Sequence, residues 1–293
     1  MRSLRRWLQQ SWVGRWLLLP YRFWFGLSYY RVPLRNLFAW SFRSRELANF
    51  TYSLTRLNGE YLAHTISAVT GVSFTEAMGY LLEIENDAEL KEHVRVAIRS
   101  SDYRHVSDEQ VSFGRRIGWY AFARILKPRV IVETGVDKGH GAVMLCAALL
   151  RNAEDGHPGR YLGTDINPDA GFLLTQPYSQ VGAILYGDSL ESLATISSID
   201  LFINDSDHSA DYEAREYEAI LPKLSYAGVI LGDNSHVTDE LAAFSVKHGR
   251  RFIFFREQPE NHWYPGAGIG ISYRSAAASD KNSELPQSQH QLQ

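Results

Sequence analysis

Acidic and amide side chains follow two apolar runs in the second half of the chain. Asp205 comes directly after the run 199–204, and Asp233 and Asn234 follow the run 229–231. If these runs are neighbouring parallel strands, their carboxyl ends lie at one edge of the sheet and the three side chains reach a common point. Two carboxylates and an amide oxygen suit Mg²⁺, with water or substrate hydroxyls completing its shell. We therefore predict a metal site at Asp205, Asp233 and Asn234.

Histidine and cysteine content bears on the kind of metal and on the compartment. His208 and His236 lie close in sequence to the predicted ligands, which keeps zinc open as an alternative. The chain has one cysteine, Cys146, so that cysteine ligands for zinc and an internal disulfide framework are both missing. A single thiol favours a reducing, cytoplasmic location.

A glycine-rich segment predicts a ligand cradle earlier in the chain. Residues 132–141 read Val-Glu-Thr-Gly-Val-Asp-Lys-Gly-His-Gly, at the point where an apolar run gives way to a helical pattern. Glycines such as Gly135 and Gly139 let the backbone turn sharply and approach a ligand closely at the end of a strand. The spacing differs from the dinucleotide fingerprint Gly-x-Gly-x-x-Gly, which disfavours NAD.

Three acids stand at the ends of successive strand-like runs. Glu133 ends the first run, Asp165 the second, and Asp188 follows the third. A carboxylate at the position of Asp165 can accept hydrogen bonds from both hydroxyls of a ribose, and Asp188 or a neighbouring amide can reach an adenine amino group. The alternative is that each carboxylate caps the following helix, as Asp often does.

The apolar pattern predicts a doubly wound α/β domain over residues 129–274. Near-continuous apolar runs alternate with helical stretches, which is typical of a parallel sheet covered on both faces. The last two of seven strands are joined by residues 257–267 without a helix, so we expect an antiparallel hairpin at one edge. The predicted strands are 130–134, 161–166, 182–186, 199–204, 229–231, 251–255 and 268–273, and the predicted helices lie near 140–152, 168–179, 189–197, 209–223 and 237–248.

The preceding residues, 46–128, have a helical period and predict a lid or a dimerisation region. Apolar residues recur every three or four positions over 49–69, 74–94 and 113–126. Ser73, with Glu76 three residues later, has the pattern of a capping box. The polar composition of 275–293 predicts a disordered tail. A homo-oligomer formed through the helical region is compatible with this organisation.

In the order of these glycines and acids, the chain from Val130 to Tyr273 resembles the class I S-adenosylmethionine (SAM)-dependent methyltransferases. The resemblance implies that Gly135 and Gly139, in a cradle that starts at Glu133, hold the methionine part of SAM. It implies further that Asp165 holds the ribose and that Asp188 reads the adenine.

The acids after the fourth and fifth strands are similar to those of metal-dependent O-methyltransferases, both the catechol and the sugar type. Several of these have a basic residue three positions after the first Asp as general base, which here is His208. No catechol-type lysine is found, so the sugar type is the closer resemblance. It implies transfer to a hydroxyl of a sugar, glycolipid or secondary metabolite. The alternative hypothesis is a cofactor-binding scaffold without transfer activity, either free or associated with a membrane.

The first 45 residues differ in kind from the rest. They contain nine arginines, no Lys, Asp or Glu, and five of the seven tryptophans; the net charge of −3 therefore leaves −12 on the remaining chain. Arg15 and Arg22 interrupt any secretory signal core or membrane-spanning helix. Two hypotheses stay open: contact with a membrane surface at the inner face, and packing on protein. Nucleic acid is the least favoured partner.

Overall fold

The computed structural model describes residues 6–8, 10–47, 51–233 and 235–274. The predicted tail, 275–293, and the predicted metal ligand Asn234 therefore lie outside the described residues. By its internal contacts the chain divides into two compact units. One comprises Met1–Arg45 with Asn261–Pro265, and we call it the arm unit. The other comprises Glu46–Glu260 with Gly266–Gln293, and we call it the main unit.

The main unit is built on a seven-stranded sheet with the order β3-β2-β1-β4-β5-β7-β6. Strands β1 to β5 are parallel, whereas β7 runs antiparallel to both β5 and β6. This arrangement confirms the predicted fold class, including the antiparallel terminal hairpin at one edge. The strands are β1 (Val130–Thr134), β2 (Arg160–Asp165), β3 (Gly182–Tyr186), β4 (Ile199–Asn204), β5 (Leu224–Gly232), β6 (Arg251–Arg256) and β7 (Gly268–Tyr273).

The register of the parallel strands places their carboxyl ends side by side. Thr134 pairs with Asn204, and Asn204 pairs with Gly232, so that β1, β4 and β5 end at one level. All five side chains of β1 are buried, as expected for a central strand covered on both faces. The residues that follow these strands are thereby brought to a common edge.

Helices of the main unit cover the sheet and precede it. Two predicted helices are not continuous helices in the structure, and two other segments differ in their limits: the predicted helix 49–69 begins at Arg56, and β5 begins at Leu224, five residues before its predicted start. The predicted helix 74–94 is interrupted, because Asp87 accepts a hydrogen bond from the Leu90 amide at 2.9 Å and starts a new helix. The stretch 168–179 forms turns and runs into a short 3₁₀ helix, Tyr178–Gln180, since Pro168 and Pro177 lack an amide donor and Gly171 has φ +76°. The helices are α4 (Arg56–Thr70), α5 (Phe74–Glu85), α6 (Ala88–Ser100), α7 (Arg116–Leu126), α8 (His140–Glu154), α9 (Ser189–Thr195), α10 (Ala210–Ile220) and α11 (Glu240–Lys247).

Helix α7 joins the helical region to the sheet. Its residues 117–124 are all buried, and Trp119 and Tyr120 are among the largest fully buried side chains. The predicted N-cap of α5 is present, because the Ser73 hydroxyl accepts a hydrogen bond from the Glu76 amide at 3.1 Å. The burial of α7 holds the two arginines at its start, Arg115 and Arg116, in fixed positions relative to the strand ends.

Three helices have defined bounds in the described part of the arm unit. Trp40 packs edge-on against Trp263, with ring centroids 5.2 Å apart, and Asn36 donates a hydrogen bond to the His262 carbonyl at 3.5 Å. Among the described residues, no helix is both long enough and apolar enough to cross a bilayer. The helices are α1 (Trp12–Leu17), α2 (Leu19–Ser28) and α3 (Arg31–Arg43).

Candidate active site

The predicted glycine cradle connects β1 to the start of α8. Gly135 and Gly139 have φ of +81° and +97°, in the left-handed region that favours glycine. A Cβ at Gly135 would overlap the backbone carbonyl of Asp205, so the cradle lies directly against the chain that leaves β4. The Gly135 amide donates to the Thr164 carbonyl at 2.9 Å, which ties the cradle to β2 as well. The cradle therefore sits at the meeting point of three strand ends.

Asp165 lies beside this cradle, as its place at the end of β2 predicted. One carboxylate oxygen accepts hydrogen bonds from the amides of Val136 and Asp137, at 3.0 and 2.8 Å. The other accepts from the Asn167 amide at 2.8 Å. A carboxylate offers about four lone-pair sites, so about one acceptor site remains after these three bonds. Asp165 thus shapes the cradle and keeps capacity for one of the two hydrogen bonds that the predicted ribose role involves.

Glu133 is buried beneath the start of α8. It accepts a hydrogen bond from the Tyr161 hydroxyl at 2.7 Å, and a Cβ at Gly141 would overlap its carboxylate. Burial raises the pKa of Glu133 to about 7, against the hydrogen bond from Tyr161 and the charge of Arg116, both of which lower it. Its carboxyl group therefore changes protonation near neutral pH.

Asp188 acts as the N-cap of α9. Its Oδ1 accepts hydrogen bonds from the amides of Leu190 and Glu191, at 2.8 and 3.3 Å, and its Oδ2 accepts from the Tyr212 hydroxyl at 3.1 Å. The capping alternative considered for the strand-end acids is thus realised at this position. A role in reading adenine remains a prediction.

Asp205 and Asp233 meet at the ends of β4 and β5, as predicted. Asp233 is buried, whereas 16% of the Asp205 side chain is exposed, and the two carboxyl groups lie within hydrogen-bonding reach of each other. Burial, followed by the charge of Asp233, raises the pKa of Asp205 well above its usual range. Burial also opposes ionisation of Asp233, but the charge and hydrogen bonds of Arg115 outweigh it and lower the pKa of that carboxyl.

Arg115 forms a bidentate pair with Asp233 that sequence reasoning missed. Its Nε lies 2.5 Å from Asp233 Oδ1, and its Nη2 donates to Oδ2. Its Nη1 donates to Glu257 Oε1 at 3.0 Å and to the Tyr52 hydroxyl at 2.9 Å. All four side chains are buried, so one guanidinium hydrogen-bonds to two carboxylates in the interior. The only sequence signal is a pair of arginines just before a strongly apolar helix.

The neighbouring Arg116 also faces the acidic edge. Its guanidinium lies 3.7 Å from Asp205 Oδ2 and 5.4 Å from the ring centroid of Trp119. The pKa of the His140 imidazole is lowered to about 3. Burial of the ring is the largest cause, the charge of Arg116 is the second, and the charge of Lys138 is the third. Two cations from one helix start therefore balance the acids that the strands bring together.

A second feature missed from sequence is Glu216, a buried acceptor on α10. It accepts hydrogen bonds from the Ser206 and Thr134 hydroxyls at 2.7 and 3.2 Å, and also from Ser189 and Asn204. Burial raises its pKa despite these donors. Glu216 holds the ends of β1 and β4 and the start of α9 in place, which fixes the loop that carries Asp205 and His208.

His208 lies in that loop, with 39% of its side chain exposed and its Nδ1 3.9 Å from Glu213 Oε1. The preceding Asp207 accepts a hydrogen bond from the Ser209 amide at 3.1 Å, which serves the start of α10. A partly exposed imidazole beside a carboxylate, three residues after Asp205, has the access that a general base needs.

The residues for a metal are only partly assembled. Among the described residues, no group of three or more His, Cys, Asp and Glu side chains is placed to hold an ion. Asp205 and Asp233 meet, but Arg115 engages both oxygens of Asp233. Asn234 lies outside the described residues. The described donor set, in this arrangement, does not fit Mg²⁺, which prefers several unengaged oxygens in an octahedron.

Residues 132–235, from the glycine cradle to just beyond β5, match a family model described as a methyltransferase domain. A comparison with curated protein sequences finds no significant match.

Three solved structures are among those that are similar to this chain. One is a methyltransferase from Geobacter sulfurreducens (18% identity, 63% of this chain and 90% of that chain, TM-score 0.47). Another is the O-methyltransferase TomG from Streptomyces achromogenes, involved in tomaymycin synthesis and solved with SAM (15%, 65% and 92%, 0.48). The third is a putative O-methyltransferase from Klebsiella pneumoniae (14%, 68% and 96%, 0.47).

Proposed function

Because residues 132–235 are a SAM-dependent methyltransferase domain, which confirms the predicted family and enzyme class, we propose that the chain methylates a hydroxyl of a small molecule. One observation carries the choice of site: the glycine cradle contacts the backbone of Asp205 at a shared sheet edge. Cofactor and acceptor would then meet where β1 and β4 end. That is the place where open α/β sheets bind their ligands.

The cofactor residues that we propose are Glu133, Gly135, Gly139, Asp165 and Asp188. SAM supplies a methyl group that its sulfonium already activates, so the protein mainly has to align donor and acceptor. The two glycines allow close backbone approach, and Asp165 has acceptor capacity beyond its bonds to the cradle. Asp188 stands after β3, in the position for adenine, although its oxygens also serve the cap and Tyr212.

We propose His208 as the general base that takes the proton from the acceptor hydroxyl. A neutral alcohol is a weak nucleophile, and a positioned imidazole contributes typically 10²–10⁴-fold to such a step. Support comes from its exposure and from its place in the loop that Glu216 anchors. Glu213, 3.9 Å from Nδ1, is placed to stabilise the imidazolium once it forms.

The predicted Mg²⁺ at Asp205, Asp233 and Asn234 stays a prediction, and no step of the proposed mechanism is routed through it. The meeting of Asp205 with Asp233 supports a site, and the Arg115 pair opposes it. Titration with Mn²⁺ by calorimetry, and methyl transfer measured before and after EDTA treatment, decide between them. Binding of Mn²⁺ together with a loss of activity in EDTA would establish the metal.

A sugar, glycolipid or other secondary metabolite is the acceptor class that we propose, on the similarity of the strand-end acids to those of the sugar-type enzymes. A panel of glycosides, catechols and simple phenols, incubated with labelled SAM, tests this choice. Transfer to catechols alone would contradict it. A homo-oligomer and a cytoplasmic location remain predictions.

The second candidate is a scaffold that binds SAM without transferring its methyl group. The buried Arg115–Asp233 pair favours the scaffold, because the guanidinium occupies one of the two carboxylates that a metal-dependent mechanism needs. Calorimetry with S-adenosylhomocysteine (SAH) and the transfer panel distinguish the two. SAH binding without transfer to any acceptor would support the scaffold, and measured transfer would exclude it.

A further inference from the structure

The arm unit exposes an unusual number of large apolar side chains. Trp12, Phe23, Tyr29, Phe38 and Phe42 are between 67% and 77% exposed. No residue of α2 or α3 is buried. Contiguous exposed apolar surface on this scale marks an interaction site, because water contact with it is unfavourable.

Cations and aromatics share one face of α3. Arg31, Arg35, Phe38 and Phe42 recur at spacings of four, three and four residues, which places them on the same side of a helix. The rings of Phe38 and Phe42 touch, with centroids 4.8 Å apart. The opposite side carries Trp40, which packs on Trp263 within the unit. The outward face is thus both apolar and cationic.

Helix α2 continues this surface as a ridge of rings. Tyr21, Phe25 and Tyr29 follow one another at helical spacing, with centroid distances of 6.3 and 5.5 Å. The guanidinium of Arg31 lies 5.4 Å from the ring centroid of Trp24, which joins the ridge to α3. Tyr and Trp rings have an apolar body and a polar tip, the combination that suits the headgroup level of a bilayer.

We propose that this cationic aromatic face, on residues 12–43, docks on a bilayer that carries anionic lipids. Arginines reach lipid phosphates while the neighbouring rings enter the headgroup boundary. Charge argues against one protein occupant: residues 1–45 hold nine arginines and no acid, so the same face of a second copy would repel this one. An anionic surface supplies the missing countercharge, and a neutral bilayer does not.

Vesicle co-sedimentation of the full chain tests the proposal. One set of vesicles is phosphatidylcholine alone, and the other contains phosphatidylserine at about 30%. We expect at least tenfold tighter binding to the anionic set and release by 0.5 M salt, because screening at that concentration shortens the range of surface charge interactions. Equal binding to both sets, or no binding to either, would overturn the proposal.

Paired variants locate the face. Arg31→Gln with Arg35→Gln should weaken binding to anionic vesicles about 30-fold, since each arginine near such a surface contributes about 1 kcal/mol, or about fivefold. Phe38→Ser with Phe42→Ser should weaken it at least tenfold. The matched controls on the main unit are Arg160→Gln with Arg251→Gln, and Tyr61→Ser with Val246→Ser, all of which replace exposed side chains.

SAH titration and light scattering complete the test. Every variant should keep the SAH affinity of the parent chain, which shows that it is folded. Loss of vesicle binding in the controls as much as in the arm variants would refute the assignment of the face. Self-association that the arm variants abolish, without vesicle binding by the parent chain, would assign the face to a protein contact and overturn the lipid proposal.

Discussion

Arg115 donates hydrogen bonds to both carboxylate oxygens of Asp233. It stands at the start of a buried helix, 118 positions earlier in the chain. The pair is buried, and Glu257 and Tyr52 complete it on the other side of the guanidinium. A buried ion pair is costly to break, because removal of one partner leaves the other charge without compensation. The contact therefore governs both the stability of the site and its capacity for a metal.

Arg115→Gln should lower the free energy of unfolding by roughly 3–5 kcal/mol, because Asp233 and Glu257 then stay buried without a cation. Chemical denaturation followed by circular dichroism measures the change. The double variant Arg115→Gln/Asp233→Asn should recover at least about 1 kcal/mol, since one of the stranded charges is gone. A double variant whose loss equals the sum of the single losses would show that the pair carries no coupling.

Asp165→Asn should weaken SAH binding roughly 10- to 100-fold, because charge-assisted hydrogen bonds to the amides of Val136 and Asp137 contribute about 1.5–3 kcal/mol each. Isothermal titration calorimetry provides the measurement. Asp169→Asn, an exposed acid four residues later, is the control and should change the affinity less than twofold. Equal affinities of the two variants would remove Asp165 from the cofactor site.

Substitutions of Asp188 separate its capping role from a contact with adenine. Asp188→Ala should lose about 1 kcal/mol of unfolding free energy, whereas Asp188→Ser should keep most of it, because serine is also a good N-cap. We expect both variants to bind SAH about fivefold more weakly. If Asp188→Ser has the parent affinity, the carboxylate serves the helix alone.

His208→Gln should lower kcat by 10²–10³-fold while the SAH affinity stays the same, because the imidazole acts on the acceptor proton and does not hold the cofactor. Steady-state kinetics with the best acceptor of the panel and SAH calorimetry test both parts. His157→Gln replaces an exposed histidine after α8 and should be silent. A kcat within threefold of the parent value would exclude His208 as the base.

Glu133→Gln should remove a pH dependence of stability between about pH 4.5 and 7. The folded chain holds the proton on Glu133 up to a pKa of about 7, above the ordinary value of 4.5, so the unfolded chain loses it first as the pH rises. Ionisation therefore costs the folded state stability across this window, and the cost is complete above pH 7.

Relative to pH 4, the Glu133→Gln variant should gain up to about 3 kcal/mol over the parent chain at pH 8, since one pH unit corresponds to about 1.4 kcal/mol. Thermal unfolding at a series of pH values measures the difference. Glu154→Gln, which replaces an exposed acid at the end of α8, should leave the pH profile unchanged. Parallel profiles for Glu133→Gln and the parent chain would disprove a raised pKa.

The sequence by itself determined the strands and the ends at which the acids stand. Apolar runs bounded by glycine and polar residues are local signals, because burial and turn formation act on neighbouring residues. The limits of β1, β3, β4 and β7 agree with the pattern, and the parallel register then brings Asp165 to the cradle and Asp205 to Asp233. Prolines and a helix cap account for the two helical segments that the apolar period alone predicted wrongly.

Only the tertiary structure decided which side chains engage these acids. Arg115, at the start of α7, pairs with Asp233, and Glu216 on α10 accepts hydrogen bonds from residues of β1, β4 and the start of α9. Such contacts join residues far apart in the chain, and their energy depends on packing and desolvation that no local pattern encodes. Asp188 likewise caps a helix, because its carboxylate accepts a hydrogen bond from the Leu190 amide two residues later. The residue type alone was compatible with both a helix cap and a ligand contact.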